Sequence, residues 1–122
     1  MNNLIDLFCI ENYVVNEKGF SSEIRLDAKH TVYSGHFPEQ PVTPGVIQLF
    51  IVHNLLEKHL EKKIQLKTVS QCKFLKILNP DENPYLTVNV TIELKEDILT
   101  ISATGANKNH VFFKLNASYT FI

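Results

Sequence analysis

The chain has 122 residues, 44% of them hydrophobic and 20% charged, with a formal net charge of −1. That is enough sequence for one domain with one core. The balance of 12 basic against 13 acidic residues argues against nucleic-acid binding driven by a strongly basic surface. No apolar run approaches the roughly 20 residues needed to span a bilayer. The opening Met1 to Asp6 has neither the basic head nor the apolar stretch of a secretory leader. A single domain over residues 1–122 is therefore expected, cytoplasmic and without a membrane span.

In chain order, Leu7 to Val15 suits a short strand or helix before the turn Asn16-Glu17-Lys18-Gly19. Phe20 to Asp27 alternates as a strand, with Phe20, Ser22, Ile24 and Leu26 on one side. A proline-rich loop follows. From Val46 to Leu60 apolar residues recur over more than one helix face, which predicts one long helix wrapped by other structure. Pro44 and Gly45 stand at its entry and the charged run Glu57 to Lys63 at its exit. Four further strands are expected at Leu66 to Leu78, Tyr85 to Leu94, Ile98 to Gly105 and Val111 to Phe121. Turn-forming clusters at Asn79 to Pro84, Lys95 to Asp97 and Asn107 to Asn109 separate them.

Lysines gather at 58, 62, 63, 67, 73 and 76. The plain reading is a solvated face; the other is a dock for an acidic carrier protein. Cys9 and Cys72 have no CxxC or metal-ligand spacing, so two buried free thiols are expected and no metal site. No phosphate-binding glycine loop or nucleophile elbow is present, and no cofactor is implied.

One long helix beside five or six antiparallel strands buries a broad apolar surface only if the sheet curls around it. That is an α+β hot-dog fold. Its sheet has open edges, and edges are commonly covered by a second copy, so a homodimer is expected.

The loop before the helix is more specific. His36-Phe37-Pro38-Glu39-Gln40-Pro41-Val42-Thr43-Pro44-Gly45-Val46 combines a histidine, three prolines at fixed spacing and a glycine at a helix start. The prolines stiffen the loop. Gly45 lets a ligand approach backbone N–H groups at the positive end of the helix, which suits an oxygen gaining negative charge.

This stretch resembles the bacterial 3-hydroxyacyl-(acyl carrier protein) dehydratases, as do Tyr33-Ser34-Gly35 before it and Lys73-Phe74-Leu75-Lys76-Ile77-Leu78-Asn79-Pro80 after it. The resemblance implies a hot-dog lyase that acts on thioesters of acyl carrier protein or coenzyme A. It implies His36 as the base that removes the α-proton, the Gly45 N–H on the thioester carbonyl, and the Val42 carbonyl as the group orienting the imidazole. Val46 and Phe50 would line the substrate site.

One position departs from that pattern. Fourteen residues after the histidine the family has Glu or Asp, and this chain has Phe50; one turn later, Asn54 stands where glutamine is common. Gln48, half a turn before Phe50, can orient water or a hydroxyl. His53 shares the face of Phe50 and can titrate near neutral pH. Glu57 lies about 10 Å further along that face. For each the plain alternative is a satisfied polar group on a buried helix. His30, His59 and His110 read as ordinary surface or strand histidines.

Three functions compete. The first is a dehydratase of 3-hydroxyacyl groups in fatty acid or related lipid or polyene synthesis. The second is a non-catalytic or half-catalytic subunit of a hot-dog heterodimer. The third is a hot-dog acyl-thioesterase with Gln48 positioning water.

Overall fold

The structure is a computed structural model that describes residues 6–34 and 40–122. The chain order is β1 (Phe8–Asn16), β2 (Gly19–Leu26), a single 3-10 turn (Thr31–Tyr33), α1 (Gly45–Leu60), β3 (Ile64–Phe74), β4 (Tyr85–Lys95), β5 (Ile98–Ala106) and β6 (Val111–Phe121). The strands form one open antiparallel sheet in the order β1-β2-β4-β5-β6-β3, which leaves β1 and β3 as its edges.

Period-two alternation puts one face of each central strand into the core. Phe20, Ile24 and Leu26 on β2, Leu86, Val88 and Val90 on β4, Leu99, Ile101 and Ala103 on β5, and Phe113, Leu115, Ala117 and Tyr119 on β6 are all buried. Ser22 shares the inward face of β2. Its hydroxyl donates to the carbonyl of Asn12 at 3.1 Å, beside the register shift between Ile10 and Asn12 on β1. The buried hydroxyl is thereby satisfied.

The helix packs on this face through Ile47, Ile51, Val52, Leu55 and Leu56. Its far end is tied to the sheet by Glu57, whose carboxylate accepts the N–H of Ile64 at 2.9 Å and lies 3.3 Å from the His53 imidazole.

Several expectations need correction. The helix is 16 residues, about 24 Å at 1.5 Å per residue, and is not enclosed on all sides. Val46 is 57% exposed, and Leu49 and Phe50 are half-buried. The physical reason is that one open sheet covers one side of a helix, so the second apolar stripe has nothing among the described residues to meet. The strand expected to run to Leu78 stops at Phe74, because the following residues turn back and the Leu78 carbonyl accepts the Thr43 N–H at 2.9 Å. The segment before Asn16 is a strand. Cys9 is exposed on it, and both cysteines are free. Apart from the half-buried Phe8, every residue of this edge strand is exposed, and Cys72 on the other edge strand is half-buried, so neither thiol is interior. All six clustered lysines are exposed.

On β3 the large apolar residues opposite buried β6 positions are Leu66 against Tyr119, Val69 against Ala117 and Phe74 against Phe113. They point to the core side, yet they are 45%, 39% and 49% exposed. They give the edge strand β3 an apolar margin, and Val46 on the helix is exposed as well. Among the described residues no helix is long and apolar enough to cross a membrane, and no cluster of metal-ligating side chains occurs.

Candidate active site

The proline-rich segment is held by a buried polar lattice built from residues far apart in sequence. Tyr33, 3% exposed, shares a hydrogen bond of 2.9 Å with the hydroxyl of Thr43. Burial pushes the Tyr33 phenol above its ordinary pKa, so it remains a neutral hydrogen-bonding group. The Thr43 N–H donates to the Leu78 carbonyl, and the Thr43 carbonyl accepts the Gln48 Nε2 at 3.0 Å. One residue thus joins the 3-10 turn, the loop after β3 and the first turn of α1. Leaving one member of such a buried set unpaired costs about 1–3 kcal/mol.

The helix that starts beside this lattice is uncapped by any side chain. Pro44 is its N-cap and has none to offer, and the first turn holds no acid. The N–H groups of Ile47 and Gln48 both donate to the Pro44 carbonyl, at 3.0 and 3.1 Å. Among the described residues the N–H groups of Gly45 and Val46 have no acceptor. They stand at the positive end of the helix dipole, where an anionic oxygen is favoured.

Gly45 has a steric reason to be glycine. A Cβ at this position would lie 2.5 Å from Cζ of Phe74. The Phe74 ring therefore rests over the start of α1 and forms one wall of a cleft of about 360 Å³. Val42, Pro44, Gly45, Gln48 and Ile77 line the rest.

Gln48 is 4% exposed. Its amide orientation is set by chemistry, since only the NH2 end can donate to the Thr43 carbonyl. The other end, Oε1, is buried without a partner among the described residues.

The candidates from sequence do not all come together. Val42, Gly45, Val46 and Gln48 cluster at the helix start. Phe50 packs half-buried against the core and does not line the cleft. His53 is one to two turns further on, paired with Glu57 and edge-on to Tyr119 at a centroid distance of 5.7 Å; it too lies away from the cleft. Glu57 closes the helix-to-β3 corner. His36 lies outside the described residues. Tyr33, Thr43 and Phe74 are the site residues that spacing did not single out, although each falls within a stretch that carries the resemblance.

The other histidines have local structural partners. The Nδ1 of His30 accepts the Val32 N–H at 3.0 Å. His110 follows the Asn107 turn and lies edge-on to Phe112. His59 is more than a surface residue: its Nδ1 pairs with the Tyr13 hydroxyl and its ring stacks on Phe20 at 4.6 Å.

The uncapped helix start borders a cleft and the helix packs on an open antiparallel sheet. The sequence matches the ApeI-like family, described as ApeI dehydratase, over residues 12–114. That span includes the whole His36 to Val46 motif, the helix and the Lys73 to Pro80 segment. The chain belongs to the ApeI-like dehydratase family.

This places it among the ApeI-like hot-dog dehydratases without singling out the acyl-carrier-protein enzymes of fatty acid synthesis. The fold is similar to the dehydratase heterocomplex ApeI:P from Xenorhabdus doucetiae, with a TM-score of 0.67, 20% identity, and coverage of 92% of this chain and 96% of that one. It is also similar to an uncharacterised protein from Erwinia carotovora subsp. atroseptica, with a TM-score of 0.60, 20% identity, and coverage of 93% and 94%. A conserved protein from Pseudomonas aeruginosa has the same fold at a TM-score of 0.58 and 8% identity, with coverage of 94% and 88%. No curated relative matches the sequence.

Proposed function

We propose that this ApeI-like dehydratase removes water from a 3-hydroxyacyl thioester carried on acyl carrier protein or coenzyme A. The observation that carries the reading is the coincidence of the family match over His36 to Val46 with an uncapped helix start at Gly45. In this reading His36 takes the α-proton, and the electrons of that C–H bond form the new C=C bond. The C3–O bond breaks, and the departing hydroxide takes the proton back from the His36 imidazolium, which regenerates the base and leaves water as the second product. The Gly45 N–H faces the thioester carbonyl, whose oxygen gains negative charge as the α-proton leaves. The Val42 carbonyl orients the imidazole, and Val46 and Phe50 border the acyl chain.

The test is 2-enoyl formation from 3-hydroxyacyl thioesters of several chain lengths by the purified protein. His36→Ala is expected to abolish it with an unchanged melting temperature. Absence of turnover at every chain length overturns the reading, and release of free thiol instead favours the thioesterase.

Phe50 favours a second reading, a half-catalytic subunit. A phenyl ring cannot protonate a departing hydroxide. The exposed apolar residues Leu66, Val69 and Phe74 on β3 form an edge that a partner's strand would cover. One similar structure is a dehydratase heterocomplex, which supports pairing of this chain with a different subunit; in this reading that subunit supplies the acid. Turnover by the purified homodimer alone disposes of this second reading.

A further inference from the structure

We infer that Gln48 is the group that recognises the 3-hydroxyl of the substrate, accepting its hydrogen bond at Oε1. The inference rests on the dehydration reading and deepens it. Gln48 is 4% exposed, and a buried amide oxygen without a partner among the described residues is a costly feature to retain. The same amide cannot relieve itself by turning over. Its Nε2 donates to the Thr43 carbonyl at 3.0 Å, and Thr43 is held in turn by Tyr33 and Leu78. A flip would set two carbonyl oxygens against each other. Among the described residues the other end is therefore a fixed acceptor without a donor.

The cleft beside it narrows the kind of donor. Gln48 lines the same 360 Å³ cleft as Gly45, three residues and about 4.5 Å of helix rise from it. A ligand whose carbonyl sits on the Gly45 N–H must present its donor a few atoms away. A 3-hydroxyacyl group has its hydroxyl at that separation, whereas a 2-enoyl group has no donor there. Gln48 would hold the substrate and release the product, without itself moving a proton. It is a substrate-binding residue that discriminates on the hydroxyl, and Phe50 leaves no carboxylate to do so.

Two pantetheine amides serve as probes, one 3-hydroxyacyl and one 3-deoxyacyl. Their α-protons are too weakly acidic for elimination. The wild-type protein is expected to bind the hydroxy amide roughly tenfold more tightly. Gln48→Met keeps the side-chain length without the acceptor and should bring the ratio to about one. Gln48→Glu, protonated in this buried site, retains both a donor and an acceptor and should restore much of the preference. Equal weakening of both amides by Gln48→Met overturns the assignment, because the pantetheine N–H groups are common to both.

The wild-type ratio decides even if a variant fails to fold. Equal affinity for the two amides, with 2-enoyl product still formed, sinks the acceptor role and leaves the dehydration reading standing. A clear preference for the hydroxy amide with no 2-enoyl product does the reverse.

Discussion

The ring of Phe74 lies so close to Gly45 that a Cβ added there would sit 2.5 Å from Cζ. A residue at the end of an edge strand thus determines which residue can begin the helix of the candidate site. Gly45→Ala is expected to push the ring outward, at about 1 kcal/mol, since overpacking is milder when a half-exposed side chain can give. Gly45→Ala with Phe74→Leu should recover that stability in denaturant titrations. If the double variant is no more stable than Gly45→Ala alone, steric contact with Phe74 is not the reason for the glycine.

Tyr33→Phe removes the partner of the buried Thr43 hydroxyl. A loss of about 1–3 kcal/mol is expected from the unpaired hydroxyl. Thr43→Val should lose a similar amount, and the pair together should lose less than the sum. A double-mutant cycle by urea unfolding measures the coupling, and strict additivity would contradict the lattice.

Phe50→Glu places a carboxylic acid where the resemblance to the 3-hydroxyacyl-(acyl carrier protein) dehydratases implies one. If the missing acid limits the isolated chain, its 2-enoyl production should rise by about 10²-fold or more, the usual scale of general acid catalysis. The ring is half-buried against the core, so some stability should be lost as well. An unchanged rate with an intact fold would mean that the acid comes from elsewhere or is not needed.

Burial lowers the pKa of His59 below its ordinary 6.5. The folded protein then holds that proton less readily than the unfolded chain. The contribution is fully present above about pH 6.5 and is lost as the pH falls from there through the lower folded value. The melting temperature of the wild type should therefore fall more steeply below pH 6.5 than that of His59→Gln. Parallel pH profiles for the two proteins would rule out this source of acid sensitivity.

Much of the architecture is legible from pattern alone. The alternation of Phe20 to Leu26 and of Val111 to Phe121 marks strands, and Pro44-Gly45 marks the start of the helix. What the pattern misses is governed by coverage. Cys9 and Val46 read as interior residues because their neighbours are apolar. One stands on an edge strand and the other on the helix face that the sheet does not reach. The end of β3 is hidden for another reason. Leu75, Ile77 and Leu78 continue an apolar run, but the backbone of Leu78 is taken by Thr43, a contact between residues 35 apart in sequence. The site follows the same rule. The resemblance points to Gly45, whereas the lattice of Tyr33, Thr43 and Gln48 is assembled only by folding, and that Oε1 lacks a partner among the described residues is visible only after the bonds around it are known.

Phe74 belongs at once to the wall of the cleft and to the uncovered margin of β3. Whatever lies against that margin also sets how firmly the ring rests over Gly45. Specific activity should then vary with protein concentration, falling on dilution as β3 loses its neighbour and the wall of the cleft loosens. For this protein a dilution series followed by enoyl formation would read association and catalysis in a single curve.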